Sequence, residues 1–113
     1  MKKINTIKKY REFKEILNLR HFKRNDLFCV YFRNNSCDHT RVGLLVTKRN
    51  GNAVTRVKIK RQTRSIVDSV FDYKKAMDVI IVINKKYDVN EFAKNKESLT
   101  SLLTSLLGEK NEN

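Results

Sequence analysis

The sequence predicts an α+β fold: an α/β sandwich in which three helices pack on one small mixed sheet of about four strands. Three observations carry that prediction. Apolar residues recur at three- and four-residue spacing near both ends and again after residue 55. Short runs dense in β-branched and aromatic residues, LFCVYFR, RVGLLVT and MDVIIVI, lie between those segments. Proline is absent and only three glycines occur, so nothing reads as a linker, and residues 1–113 are expected to form a single domain ending in a frayed tail at 109–113.

Residues 6–19 are expected to be an amphipathic helix, with Ile7, Tyr10, Phe13, Ile16 and Leu17 on its apolar face and Thr6 as candidate N-cap. The polar RHFKRND that follows reads as a loop. Residues 27–33 read as a strand with Phe28, Val30 and Phe32 on one face and Leu27, Cys29 and Tyr31 on the other. NNSCDH is a polar turn, and residues 41–47 form a second strand expected to run antiparallel to the first.

Two readings compete for the centre. Asn50-Gly51 is a hairpin signal, which would return VKIK as a strand. A helix over 55–71 instead puts Ile59, Thr63, Ile66, Val67 and Val70 on one stripe and Arg56, Lys60, Arg61 and Arg64 roughly opposite. The helix is favoured because it separates charge from apolar residues and accounts for the later half. Residues 77–83 are a continuous apolar run, suited to a strand buried on both faces. Residues 90–107 form a Leu-rich helix, with Ser98 or Asn95 as candidate cap and Gly108 at its end.

The charge is lopsided. Residues 1–64 hold 18 Lys and Arg against 4 Asp and Glu, a net of +14, and residues 65–113 hold 7 against 8, a net of −1. All nine arginines lie in the first part. The stretch 48–64 alone carries Lys48, Arg49, Arg56, Lys58, Lys60, Arg61 and Arg64, and no Asp or Glu falls between Asp38 and Asp68. Such a patch repels itself and calls for a counter-charge, which a nucleic-acid backbone supplies. Arginine suits that partner, since its planar fork holds phosphate through two hydrogen bonds and stacks on bases. Membrane binding fits poorly: there is no Trp, and only Val and Ile interleave the densest basic run. No run reaches transmembrane length and the N-terminus lacks a signal peptide's apolar core, so a cytoplasmic protein is expected.

The same residues argue against catalysis by side chains. His21 and His39 stand apart from any nucleophile, and among the cations they make poor metal ligands. Cys29 and Cys37 form neither a CxxC pair nor a Cys/His metal pattern, and two idle thiols are expected. Gly51 opens no phosphate-wrapping loop, since GNAVTRVK lacks the G-K-[ST] ending. What remains is binding: cations for phosphates, and Tyr10, Phe13, Phe28 or Tyr31 as surfaces on which unpaired bases stack.

RVGLLVTKRNGNAVTRVKIKRQTR resembles the protein subunit of bacterial ribonuclease P. That family has a strand of the form R-V-G-x-x-V-S-K, then G-N-A-V-x-R-N-R-I-K-R and a further Arg three residues on. Arg41-Val42-Gly43, Val46-Thr47-Lys48, Gly51-Asn52-Ala53-Val54, Arg56, Ile59-Lys60-Arg61 and Arg64 stand at the matching places. The Asn of the R-N-R triplet is Val57 here, its second Arg is Lys58, Thr47 replaces Ser, and Leu17 occupies a position often aromatic. The resemblance implies one α/β domain with a left-handed β-α-β crossover. It implies an endonuclease subunit that assists 5′ maturation of precursor tRNA, with hydrolysis performed by an RNA subunit and its Mg²⁺ ions and no cofactor or metal held by the protein. It implies contact with that RNA through Lys48, Arg49, Asn52, Arg56, Lys58, Lys60, Arg61 and Arg64. Phe13, Leu17, Phe28, Val30 and Tyr31 become candidates for a cleft holding the single-stranded leader, with either face of the strand able to line it. The alternative is a basic ribosomal or RNA-chaperone protein using the same charge.

Overall fold

The computed structural model describes residues 1–108; the expected tail at 109–113 lies outside them. Among the described residues there are three helices, α1 (Tyr10–Asn18), α2 (Ala53–Val70) and α3 (Phe92–Leu107). Four strands, β1 (Phe22–Arg24), β2 (Phe28–Asn34), β3 (Arg41–Leu45) and β4 (Met77–Ile83), form one mixed sheet in the order β1-β2-β4-β3. β4 is apolar except for Asp78 and takes a central place, covered from both sides. It pairs antiparallel with β2 and parallel with β3, so β3-α2-β4 is a β-α-β crossover.

That arrangement corrects the expected β2–β3 hairpin. β4 lies between the two strands. The NNSCDH segment is held by the chain leading into β4 rather than folded as a tight turn: Asn35 N donates to Ala76 O at 3.2 Å and Thr40 N to Tyr73 O at 2.9 Å. The RHFKRND segment, which reads as a loop, holds β1. This is a three-residue edge strand on β2, and with Lys23 and Arg24 after Phe22 it shows no alternation of apolar and polar residues, as short charged edges do not.

The first helix starts four residues later than its periodicity suggests. Thr6 does not cap it. Its hydroxyl donates to Lys2 O at 3.1 Å, and residues 6–7 bridge to β3, with Ile7 N donating to Val42 O at 3.0 Å. The sheet edge thus takes the backbone groups that a helix would have used, and Ile7 is buried from an extended segment.

Asn50-Gly51 makes no hairpin. Asn50 is buried, its side chain accepts from Thr47 N at 3.1 Å and donates to Asn84 O at 3.0 Å, and residues 48–50 form a 3₁₀ turn. Gly51 follows at φ 122°, a conformation that L side chains rarely adopt, and turns the chain into α2. Asn52 then accepts from Thr55 N at 2.9 Å as N-cap. On α2, Ile59, Thr63, Ile66 and Val67 are buried as the expected stripe. α3 begins without a side-chain cap. Asn95 is buried within its first turn and donates to Asp88 O at 2.7 Å, and Ser98 lies mid-helix, so neither is the cap expected of them. Gly108 does close the helix, with its N–H on Thr104 O at 3.0 Å.

The sheet has a core on each side. Under α2 and α3 lie Phe28, Val30, Val42, Ile59, Val79 and Leu103, all buried. Under α1 lie Ile7, Ile16 and Ile80.

Candidate nucleic-acid interface

Strand register sorts the α1 side of the sheet into three rows. At one end stand Arg33, Asp78 and Arg41, side by side on β2, β4 and β3. Next come Phe22, Tyr31, Ile80 and Gly43; then Arg24, Cys29, Val82 and Leu45. α1 covers the first row and half of the second. Its acidic flank meets the charged row: Glu12 lies 2.9 Å from Arg41 and Glu15 3.4 Å from Arg33. Asp78, fully buried, accepts from Arg41, Arg33 and Asn35 at 2.8–3.0 Å. Burial pushes its carboxyl up, but these three donors bring it below the ordinary Asp value. Phe13 presses on Gly43, where an added Cβ would fall 2.6 Å from the ring's Cζ. Gly43 is a notch that seats the ring.

Beyond α1 the face is open. Phe13, Leu17, Tyr31 and Val82 are half-buried there around Ile80. The surface continues into a depression of about 530 Å³ whose lining includes Arg24, Asp26, Phe28, Cys29, Val82 and Lys86. A second depression, along Thr47, Lys48, Arg49 and Lys85, meets it at Val82 and Asn84. The result is an apolar, partly aromatic floor with cations on its rims.

The basic helix adjoins that groove through the turn at residues 48–50. Arg56, Lys60 and Arg64, four residues apart, form one row along α2 at the border of its apolar stripe and not opposite it as expected, because each step of four residues turns only about 40° around the helix. Gln62 marks the opposite flank, held by Val89 O and the Tyr87 hydroxyl ahead of α3. Lys58 and Arg61 stand on the outer face with Val54 and Val57, all exposed. None of the seven cations of 48–64 has an acidic partner among the described residues. Four of the acids are engaged elsewhere: Asp78, Glu12 and Glu15 hold Arg33 and Arg41, and Asp68 holds the Met1 amine and the Tyr73 hydroxyl. Arg56 Nε is buried without a hydrogen-bond partner.

The sequence-predicted residues thus divide. Lys48, Arg49, Arg56, Lys58, Lys60, Arg61 and Arg64 share one continuous surface. Asn52 stands among them at the helix start, with its side-chain oxygen occupied by the cap. Phe13, Leu17 and Tyr31 meet on the groove floor. Phe28 and Val30 do not. Both side chains point to the other side of the sheet, 1% and 0% exposed under α2 and α3, because successive strand residues face opposite ways, and Phe28 only borders the depression beside Arg24 and Cys29. Lining by the Cys29–Tyr31 face replaces them. Sequence reasoning missed Arg24, Val82, Lys85 and Lys86. The only local signal was the Lys85-Lys86 pair directly after a buried strand, masked by the neutral balance of the C-terminal half.

A family model described as ribonuclease P matches residues 1–107. The chain belongs to the ribonuclease P protein family. It is 37% identical to the ribonuclease P protein component of Mesoplasma florum, over 95% of this chain and 99% of that one. It is 32% identical to that of Streptococcus pyogenes, over 91% and 87%. Among solved structures, the RNase P protein of Staphylococcus aureus superposes with a TM-score of 0.78 at 33% identity, covering 90% of this chain and 94% of that one. The Thermotoga maritima RNase P protein gives 0.73 at 27%, covering 88% and 96%. The protein is therefore a component of the ribonuclease P endoribonuclease, and these likenesses support that reading rather than a ribosomal or chaperone one. Among the described residues no helix is long and apolar enough to cross a membrane.

Proposed function

We propose that this protein docks on ribonuclease P RNA through α2 and the turn before it, and holds the single-stranded 5′ leader of precursor tRNA in the groove beside α1. The observation that carries the reading is the row Arg56–Lys60–Arg64, aligned on one helix flank and free of acidic partners among the described residues. Phosphates would neutralise that row through charge-assisted hydrogen bonds. The groove suits the other contact, because half-buried Phe13, Leu17 and Tyr31 accept any base by its face while Lys48, Arg49, Lys85 and Lys86 follow the backbone.

In this reading bond-breaking belongs to the RNA subunit and the Mg²⁺ it carries. The protein's side chains lower the electrostatic cost of bringing two polyanions together and fix the leader's path. A precursor-tRNA cleavage assay tests it. The purified protein alone is expected to cleave nothing, and adding it to ribonuclease P RNA is expected to restore 5′ maturation at Mg²⁺ concentrations too low for the RNA by itself. Cleavage by the protein without RNA would overturn the proposal.

A further inference from the structure

The groove beside α1 accounts for Phe13, Leu17 and Tyr31 but leaves Phe22 unexplained. This ring is 43% exposed on the shortest strand of the sheet, where neither core holds it. It stands opposite Tyr31 across β1 and β2, so both rings project to the α1 side. Their centroids are 5.2 Å apart and their planes tilted by 42°, an attractive aromatic pair. Arg20 and Arg24, both exposed, flank the pair. Burial and the neighbouring Cys29 push the Tyr31 phenol up while the charges of Arg20 and Arg24 pull the other way. Arg20 also sits at φ 56°, just past α1, a left-handed backbone that glycine adopts freely and a side chain adopts at a cost. A charged residue thus stands where the backbone alone would favour none.

We propose that Phe22 and Tyr31 form a two-ring platform on which one further unpaired nucleotide of single-stranded RNA stacks, outside the segment held between α1 and the sheet, with Arg20 and Arg24 holding its phosphates. The inference rests on the leader-binding reading above and extends the path to the β1 edge. Stacking on a ring ignores base identity, so the added contact lengthens the footprint rather than selecting a sequence.

Reconstituted holoenzyme and precursor tRNAs with a graded series of leader lengths test it. Phe22→Leu keeps an apolar side chain but removes the ring. It is expected to bind the shortest leader like the parent and to lose about fivefold or more in affinity once the leader reaches β1. Phe22→Tyr is expected to retain parental affinity at every length. In the parent holoenzyme, a photoreactive base moved along the leader is expected to crosslink to Phe22 at an outer position. Parental binding by Phe22→Leu at all lengths, or no crosslink to Phe22 at any position, overturns the platform. If Phe13→Ala and Leu17→Ala still weaken binding in that case, the groove stands without the extension; if they do not, the groove itself fails. Self-association of the parent that disappears in Phe22→Leu, read by sedimentation, would assign the ring to a second copy of the chain and also overturn the platform.

Discussion

Asp78 is the residue on which the placement of α1 depends. It lies fully buried with three donors, and two of those donors, Arg33 and Arg41, reach on to Glu15 and Glu12 of the helix. Removing one partner of a buried ionic cluster strands the others, so Asp78→Asn is expected to destabilise the protein by about 3 kcal/mol or more in denaturant unfolding. The pH dependence follows from the direction of its shift. A carboxyl held below its unfolded value, about 3.9, contributes stability that is complete above that pH and lost as pH falls through the folded value. Unfolding midpoints between about pH 5 and pH 2 are expected to drop more steeply for the parent than for Asp78→Asn. Little of this cluster was legible in the sequence. Asp78 sits inside an apolar run, and a lone acid there says nothing of two arginines 45 and 37 positions earlier in the chain. The alternation of residues 28–33 was legible, but which face met α1 was not, because both faces of β2 are apolar enough to be buried.

At the scale of elements, α2 was readable because a charged flank and an apolar stripe share one helical period over 18 residues. Its entrance was not, since Asn50-Gly51 carries a hairpin signal that Asn50's bonds to Thr47 N and Asn84 O override. Asn52 does the local work of starting the helix. Asn52→Ala is expected to lower the stability of the free protein by about 1 kcal/mol, measured by thermal or chemical unfolding without RNA so that any loss of binding is kept separate. β1 was invisible for the opposite reason: three residues are too few for a period, and its cationic neighbours read as loop. The groove's outer rim, including Phe22 and Arg24, was lost with it.

For the whole molecule, the lopsided charge seen in the sequence survives folding, but in a more selective form. Arg33 and Arg41 are consumed by the acids beneath and on α1, while the cations of the 48–64 stretch keep no acidic neighbour among the described residues. Sequence position alone could not separate the structural arginines from the free ones; only the sheet order, with β4 between β2 and β3, brings Arg33 and Arg41 to the same carboxylate. The central claim is that the α2 row engages phosphates of a folded RNA. The salt dependence of affinity for ribonuclease P RNA measures it most directly. Replacing Arg56, Lys60 and Arg64 together by Gln is expected to weaken binding and to reduce the slope of log affinity against log salt by about 2–3, since each lost phosphate contact removes about 0.7–0.9. A slope equal to that of the parent would contradict the claim.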